Sequence, residues 1–202
     1  MNAPHAPLLP SEFSTLMHRF ALGHDITCLG IAVSGGPDSM ALAFLAQQWA
    51  QENNTKIYAF IVDHTLRPES TAEAEATRQD LAARGIQAEV LTWHHPPITS
   101  RIHITARNAR YDLLTAACHR HSITTLMTAH QAEDQAETIL MRIAKGSGIE
   151  GLAGISADTY NNNVRIIRPL LPIGKARLIA TCNAGKISYV TDPSNMSDKY
   201  AR

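Results

Sequence analysis

Ser34-Gly35-Gly36-Pro37-Asp38-Ser39 follows the short apolar run Ile31-Ala32-Val33 and precedes a helix-like apolar pattern that begins at Met40. A strand that turns through Ser-Gly-Gly into a helix points several backbone N–H groups at one place, with the positive end of the helix dipole behind them. The two glycines let the backbone approach an anion without interference from a Cβ atom. The stretch therefore predicts a phosphate- or pyrophosphate-binding loop, although a plain turn and helix cap, with Pro37 in the first helical turn, fits the same residues.

Asp38 stands at the rim of this expected anion site. A carboxylate beside phosphate is explained most simply as a ligand for Mg²⁺ that bridges phosphate oxygens. The loop differs from the common nucleotide P-loop, because the chain contains no Gly-x-x-x-x-Gly-Lys-Ser/Thr. We therefore expect Asp38 to hold a metal rather than to serve as a helix cap alone.

Short apolar runs alternate with helix-length patterns along most of the chain. A leading helix is expected over residues 11–22. The expected strands are residues 27–33, 57–62, 88–92 and 124–128, and the helices that follow them are residues 37–51, 70–84, 104–121 and 132–145. This alternation predicts an α/β fold, a parallel sheet with helices on both faces. Ligands bind at the carboxyl ends of the strands in such sheets. The loops at those ends are residues 34–39, 63–67, 94–101 and 129–134, while residues 161–163 are expected to form a loop tip.

The helix after the fourth strand carries a second group of candidate residues. On a helical projection His130, Asp134 and Glu137 share one side. The apolar residues Ala132, Ala136, Ile139, Leu140 and Ile143 share the other side and are expected to pack on the sheet. The outward face then suits a cation, either Mg²⁺ or the ammonium of an amine substrate. Acidic residues are also favoured in any first helical turn, which is the structural alternative.

Two arginines are candidates for charge stabilisation. Arg107 and Arg110 lie three residues apart in the predicted helix 104–121 and can share a face. Arginines near a phosphate site can neutralise the charge that develops on leaving pyrophosphate or on an adenylate. His64 closes the second strand and is a further candidate, and each of these residues can equally be a surface ion-pair partner. The remaining histidines, among them His94, His95, His119 and His121, are expected to be solvated or in the core.

Composition and charge restrict the class of protein. No apolar run approaches the roughly 18 residues of a membrane span, and the N-terminus lacks a secretory signal pattern. Cys28, Cys118 and Cys182 lie far apart, which favours a cytoplasmic chain with buried thiols. Residues 1–160 carry 11 basic and 16 acidic side chains, a balance of −5, and residues 161–202 carry 7 and 2, a balance of +5. The basic segment 161–202 is therefore a candidate surface for a nucleic-acid backbone, or simply a solvated basic face.

Several motifs, in this order along the chain, resemble one family. They are Ser34–Ser39, residues 62–67 (Val-Asp-His-Thr-Leu-Arg), 106–111 (Ala-Arg-Asn-Ala-Arg-Tyr), 129–138, 145–148 (Lys-Gly-Ser-Gly), 168–171 (Arg-Pro-Leu-Leu) and 192–195 (Asp-Pro-Ser-Asn). The loop at 34–39 resembles the signature of the adenine-nucleotide α-hydrolase-like ATP pyrophosphatases. The ordered set resembles the N-terminal catalytic domain of bacterial tRNA(Ile)-lysidine synthases, from about Ile26 to the last residue.

This resemblance implies a two-step modification of an isoleucine tRNA that carries a CAU anticodon. ATP would adenylate O2 of cytidine 34 and release pyrophosphate, and free L-lysine would then displace AMP to give lysidine. The implied catalytic residues are Asp38, His130, Arg107 and Arg110. ATP and pyrophosphate would be bound by Ala32, Ser34, Gly35, Gly36, Pro37, Asp38, Ser39 and His64, with Mg²⁺ on Asp38. Lysine would be bound by Asp134, Glu137 and Arg202, and the basic segment would face the tRNA.

The resemblance also predicts the domain organisation. Residues 1–25 are expected to form an N-terminal helical extension, and residues 26–202 the catalytic domain. The family continues beyond this point into a further tRNA-binding domain, so weak tRNA binding is expected for this chain. A homodimer is left open. Family members often read Ala-His-His-x-Asp-Asp where this chain has Gln131 and Glu133, which leaves the roles of those two positions open.

Two other functions are weighed against this one. A tRNA-thiolating enzyme of the same superfamily would use the same adenylated intermediate, but it would need cysteines able to carry a persulfide or an iron–sulfur cluster. The three separated cysteines do not supply such a pair. A nucleotide-binding fragment with impaired catalysis is the alternative from a different class.

Overall fold

The computed structural model describes residues 5–23, 26–96, 102–146 and 153–190. Within these ranges the secondary structure comprises six strands in one sheet and six helices. The strands are β1 (Cys28–Val33), β2 (Lys56–Asp63), β3 (Gln87–Thr92), β4 (Thr125–Met127), β5 (Asp158–Asn161) and β6 (Val164–Ile167). The helices are α1 (Pro10–His18), α2 (Pro37–Glu52), α3 (Ser70–Ala83), α4 (Ile102–Arg120), α5 (Ala132–Ala144) and α6 (Lys175–Ala184).

The strand order creates a crevice at one edge of the sheet. The order is β3-β2-β1-β4-β6-β5, and every pair is parallel except β5 with β6. The chain adds β2 and β3 on one side of β1, crosses back through α4, and adds β4 on the other side. The carboxyl ends of β1 and β4 therefore flank the point where the strand order reverses. Ligands of open α/β sheets bind at this point.

The two faces of the sheet carry separate hydrophobic clusters. One cluster packs β1 and β2 against α1, α2, α3 and α6, with Leu42 and Leu178 as fully buried members. The other packs Phe60 of β2 against Leu114 of α4. Helices thus cover both faces, and the predicted α/β class is confirmed. In the described part of the chain, no helix combines the length and apolar character that crossing a membrane requires.

The predicted elements agree closely with the structure where apolar periodicity is strong. The four predicted strands and the four helices that follow them differ from the observed bounds by two residues or fewer at each end. Gly85 and Gly146 have φ values of +75° and +70°, so each supplies the left-handed residue that follows α3 and α5. The leading helix was predicted four residues too long, because α1 ends at His18 and the chain turns to a left-handed residue at Ala21.

The β5–β6 hairpin and helix α6 were not predicted. Strands β5 and β6 are short and join through Asn162 and Asn163, whose φ values are +46° and +61°. Two left-handed residues in a row make the tight hairpin turn that asparagine tolerates well. The expected loop tip at 161–163 is therefore confirmed. The flanking strands escaped prediction because each has only four residues and β5 is half exposed.

The apolar side of α5 does not pack on the sheet, so that expectation was wrong. Leu140 and Ile143 are 66% and 55% exposed, and within the described residues α5 has no buried member. Polar contacts orient the helix instead. Gln135 donates to and accepts from the backbone of Ile155, and Arg142 donates to the carbonyl of Gly154 at 3.0 Å. These bonds hold the side of α5 that carries Gln135 and Arg142 toward residues 154–155.

Candidate nucleotide site

The loop between β1 and α2 is held from inside by Ser39. Its buried hydroxyl donates to the carbonyl of Gly36 at 3.0 Å and accepts the backbone N–H of Ser34 at 3.1 Å. The Ser34 N–H is therefore occupied within the loop. The N–H groups of the first turn of α2, by contrast, have no acceptor in their own helix. An anion at this loop would meet the N-terminal end of α2 while Ser39 keeps the loop in shape.

Gly35 is required by the geometry of the loop. It adopts a left-handed backbone with φ of +81°, and a Cβ atom at this position would lie 2.7 Å from Thr77 Oγ1 of α3. Its carbonyl accepts the N–H of Val190 at 2.9 Å. The loop is therefore packed between α3 and the segment after α6. A glycine is the residue that combines this conformation with this close approach.

Asp38 lies in the first turn of α2 and is largely buried. Burial raises the pKa of its carboxyl group to about 6, Lys175 opposes this shift, and the charges of Asp134 and Glu133 add to it. Oδ1 is buried without a hydrogen-bond partner, while Oδ2 lies 3.9 Å from Lys175 Nζ. A buried carboxylate oxygen without a partner is costly and is explained when a cation binds there.

Helix α6 brings Lys175 to the loop, a residue that the sequence did not single out. Glu133, at the start of α5, accepts the backbone N–H of Lys175 with both carboxylate oxygens, at 3.0 and 3.1 Å. This contact caps α6, which has Gly174 as its N-cap residue. Glu133, whose role was left open, therefore joins α5 to α6 beside the loop.

His130 lies on the other side of the crevice, after β4. Because α5 begins at Ala132, His130 is a loop residue, and its position does not follow from the helical projection used to select it. Its Nδ1 lies 3.0 Å from Thr128 Oγ1. Burial lowers the pKa of His130 to about 4, and the charges of Arg168, Arg110 and Arg107 lower it further. The imidazole is thus neutral near pH 7 and acts as a hydrogen-bonding group.

Arg107 and Arg110 share the ring of Tyr111, with guanidinium carbons 5.4 and 5.5 Å from its centroid. Burial lowers the pKa of Arg110, although that group stays charged, and Asp134 acts in the opposite direction. The Tyr111 hydroxyl is buried without a hydrogen-bond partner. The predicted arginine pair therefore shares a face of α4, next to His130, and Tyr111 is an additional member of the group.

His64 follows β2, next to the loop. Burial lowers its pKa, the charge of Arg110 adds to this effect, and Nδ1 is buried without a partner. Trp93, at the end of β3, packs edge-on against His64 with centroids 5.9 Å apart, and stacks on His95 at 4.0 Å. His95 also contacts the carbonyl of His64 through Nε2, at 3.0 Å. Ala32 lies on β1 opposite Phe60 of β2, and His64 follows β2, so these two predicted ATP contacts lie at neighbouring strands.

Asp134 has a structural contact besides its predicted role. Its Oδ2 accepts the backbone N–H of Gln131 at 2.9 Å, and the Gln131 side chain accepts the N–H of Glu133. These reciprocal bonds form a capping box at the start of α5. Gln131, the second position left open, is therefore the cap of this helix. Glu137 is exposed one turn further along, and the predicted lysine contact Arg202 lies outside the described residues.

Part of the basic segment is used in contacts within the fold. Four of its basic side chains in the described residues are engaged within the fold. Arg165 pairs with Asp158, Arg177 with Glu12, and Lys175 with Asp38, while Arg168 is 6% exposed and donates to the carbonyl of Ser156. These contacts tie α6 and the β5–β6 hairpin to the rest of the domain.

The arrangement fits a metal only together with a substrate. The described residues contain no group of three or more His, Cys, Asp or Glu side chains able to hold an ion. Asp38 offers one buried oxygen without a partner, and Mg²⁺ typically binds one or two carboxylates plus phosphate oxygens and water. The residues present therefore suit Mg²⁺ delivered with a nucleotide triphosphate rather than a resident metal centre.

Comparison with known proteins agrees with this geometry. Residues 10–202 match the PP-loop domain family. The chain is 43% identical over 174 residues to the tRNA(Ile)-lysidine synthase of Rhodopseudomonas palustris, covering 85% of this chain and 50% of that protein. It is 39% identical to the enzyme of the same name from Methylobacterium nodulans, covering 100% of this chain and 59% of that protein. The chain thus spans about half the length of these curated relatives.

A solved structure shows the same fold. The U34-tRNA thiolase NcsA from Methanococcus maripaludis superposes with a TM-score of 0.75 at 19% identity, covering 93% of this chain and 66% of that one. At this identity the likeness concerns the fold alone. The loop at the switch point, the strand order and the family match over nearly the whole chain lead to one conclusion. The chain belongs to the PP-loop domain family.

Proposed function

We propose that the chain catalyses the ATP-dependent ligation of lysine to C2 of cytidine 34 in the CAU anticodon of tRNA(Ile), forming lysidine. The observation that carries this proposal is the placement of two sites across one crevice. The loop at 34–39 lies at the end of β1, and His130, with the arginines beside it, lies at the end of β4. The similarity to tRNA(Ile)-lysidine synthases over 85% to 100% of this chain supports the choice of substrates.

Residues on both sides of the crevice are assigned roles in the two steps of the reaction. In the first step the cytidine O2 attacks the α-phosphorus of ATP and pyrophosphate leaves toward the loop and α2. Arg107 and Arg110 stabilise the negative charge of the transition state, and neutral His130 donates a hydrogen bond. In the second step the lysine amine attacks C2, loses a proton, and AMP leaves. Asp134 and Glu137 orient the lysine through its ammonium group, and Arg202 is proposed to pair with its carboxylate.

Asp38 is proposed to hold Mg²⁺ together with phosphate oxygens. The metal, when bound, neutralises the triphosphate and improves pyrophosphate as a leaving group. Ala32 and His64 are proposed to contact the adenosine, because Ala32 lies on β1, His64 follows the neighbouring β2 beside the loop, and His64 Nδ1 has no hydrogen-bond partner among the described residues.

The direct test is mass spectrometry of an isoleucine tRNA transcript with a CAU anticodon after incubation with ATP, Mg²⁺ and L-lysine. The expected result is a mass gain of lysine minus water at cytidine 34. A transcript with adenosine at position 34 is the matched control. ATP–pyrophosphate exchange that depends on the tRNA supports the adenylation step. Product formation on both transcripts alike, or on neither, contradicts the proposal.

Thiolation is the second candidate, because a tRNA thiolase shares the fold. The thiol groups argue against it. Burial raises the pKa of Cys118 to about 12 and that of Cys182 to about 11, and the Cys182 thiol donates to the carbonyl of Pro37. Neither cysteine is a ready thiolate for sulfur transfer. Sulfur incorporation into tRNA by the chain would favour thiolation over ligation.

A further inference from the structure

Lys175 is a basic side chain beside the loop that follows β1. It is the first residue of α6, and its Nζ lies 3.9 Å from Asp38 Oδ2. The side chains of Lys175 and Asp38 are 39% and 23% exposed. The pair is therefore open to the crevice on one side, and neither partner is sealed in the core.

The backbone that carries Lys175 is held in place by two independent contacts. Glu133 accepts the Lys175 N–H with both oxygens, and the Cys182 thiol, about two turns further along α6, donates to the carbonyl of Pro37 at 3.3 Å. Helix α6 also shares its buried core with α2. The ammonium group is thus delivered to the loop by a fixed helix, while its four-carbon stem leaves it free to move by a few ångströms.

The loop needs a cation that its own residues do not provide. It contains no lysine or arginine, unlike the common P-loop, and Pro37 lacks a backbone N–H at the start of α2. Asp134 and Glu133, at the start of α5, add negative charge close to Asp38. On the other side of the crevice, the positive charges of Arg107, Arg110 and Arg168 lower the pKa of His130. A triphosphate at the loop would therefore meet negative charge unless Lys175 and a metal offset it.

We propose that Lys175 is a nucleotide-binding residue: its ammonium leaves Asp38 when ATP binds and pairs with the β- and γ-phosphate oxygens. In the free enzyme the ammonium of Lys175 lies beside Asp38, so the half-buried carboxylate is not left without a neighbouring positive charge. The exchange frees both Asp38 oxygens for a cation that arrives with the nucleotide. Lys175 then plays the part of the P-loop lysine, delivered from a different helix. This inference rests on the proposed nucleotide site.

Binding measurements on Lys175→Met test the proposal. Methionine keeps an unbranched side chain close in length to the four-carbon stem of lysine, together with the backbone N–H that Glu133 accepts, so the main change is the loss of the ammonium group. Calorimetric affinities would be measured for ATP, pyrophosphate and AMP, in Mg²⁺ and in EDTA. We expect the affinity for ATP and pyrophosphate to fall by about ten- to hundredfold, the range of a lost charge-assisted contact, and the affinity for AMP to change by about twofold or less.

Two further variants make the result specific. Lys56→Met removes one exposed lysine at the amino end of β2, at the opposite edge of the sheet, and should bind all three ligands as the wild type does. Lys175→Arg keeps the charge and should recover most of the ATP affinity. Equal binding of ATP by the wild type and Lys175→Met overturns the role of Lys175 while leaving the nucleotide site standing. Failure of the wild type to bind ATP overturns both proposals.

Discussion

The carboxylate of Glu133 and the backbone N–H of Lys175 form a direct link between α5 and α6, with both oxygens within 3.1 Å of the nitrogen. Through this link the helix that follows β4 is joined to the helix that faces the loop after β1. This capping interaction therefore joins the two sides of the crevice. A carboxylate at this end of a helix is favoured both by hydrogen bonding and by the helix dipole.

Replacing Glu133 should lower stability through this cap. Glu133→Ala is expected to reduce the free energy of unfolding by about 1 kcal/mol, the usual cost of losing a cap. Urea unfolding followed by circular dichroism measures the effect. Glu52→Gln, which alters an exposed carboxylate at the end of α2, is the control and should be neutral. An unchanged midpoint for Glu133→Ala would mean that water replaces the carboxylate without cost.

Substitution of Gly35 should damage the loop through a specific clash. Gly35→Ala places a methyl group 2.7 Å from Thr77 Oγ1 in addition to straining a backbone with φ of +81°. Gly146→Ala has a similar φ of +70° with nothing within 4 Å, so it carries the strain alone, about 1–2 kcal/mol. We expect Gly35→Ala to be the more destabilising of the two and to weaken ATP binding.

Thr77→Ala provides the check on this explanation. It removes Oγ1 and should restore part of the stability lost in Gly35→Ala, measured by thermal unfolding of the double variant. If the double variant unfolds at the temperature of Gly35→Ala alone, the clash is not the cause and strain in the backbone explains the loss.

The protonation of His130 predicts a dependence of stability on acid. Its pKa in the folded protein, about 4, is below the ordinary value of 6.5, so the folded state binds fewer protons than the unfolded state at intermediate pH. This contribution to stability is complete above pH 6.5 and is lost as the pH falls toward 4. The full effect is about 2–3 kcal/mol. His130→Asn should therefore lose less stability than the wild type between pH 7 and pH 4.5.

Nuclear magnetic resonance of the imidazole checks the premise directly. The His130 ring signals should not shift between pH 8 and pH 5.5, because the pKa of this imidazole is about 4. A midpoint for His130 near 6.5 would show that burial and the three arginines do not lower its pKa as the geometry indicates.

Two substitutions separate the capping role of Asp134 from its proposed role in lysine binding. Asp134→Asn keeps an oxygen that can accept the Gln131 N–H but removes the charge, so stability should be retained. Under the proposed function, lysidine formation should nevertheless fall by about tenfold or more, because the ammonium loses its partner. Asp134→Ala should lose both stability and activity. Full lysidine formation by Asp134→Asn would remove Asp134 from the lysine site.

The accuracy of sequence-based prediction followed the strength of the local signal. Strands such as β1 and helices such as α2 carry long apolar patterns, and glycines at 85 and 146 mark helix ends, so their bounds were predicted closely. The apolar side of α5 was predicted to be buried and is exposed, because contacts of Gln135 and Arg142 with residues 154–155 orient that helix. Periodicity indicates that a helix is amphipathic without indicating what lies against it.

The candidate site likewise combines residues that a local sequence signal identifies with residues that only tertiary packing brings together. The loop at 34–39 was recognised because a strand, two glycines and a helix start are contiguous in the chain. Lys175 escaped selection because nothing in its neighbours marks it. Only the packing of α6 on α2 brings it, 137 positions from Asp38 along the chain, to within 3.9 Å of that residue. Trp93 and Tyr111 are similar cases, since their significance lies in contacts with His64 and the arginine pair.

The order of residues alone determined the alternation of strands and helices, and with it the edge of the sheet at which the functional loops meet, because backbone periodicity and turn chemistry are local properties. Tertiary structure decided which charges face one another across that edge. The carboxyl group of Asp38 and the neutral imidazole of His130 owe their states to burial and to neighbours that are distant in the chain, and packing alone brings the ammonium of Lys175 to Asp38. Electrostatic interactions depend on separation in space and on solvent access, and neither can be read from position in a sequence.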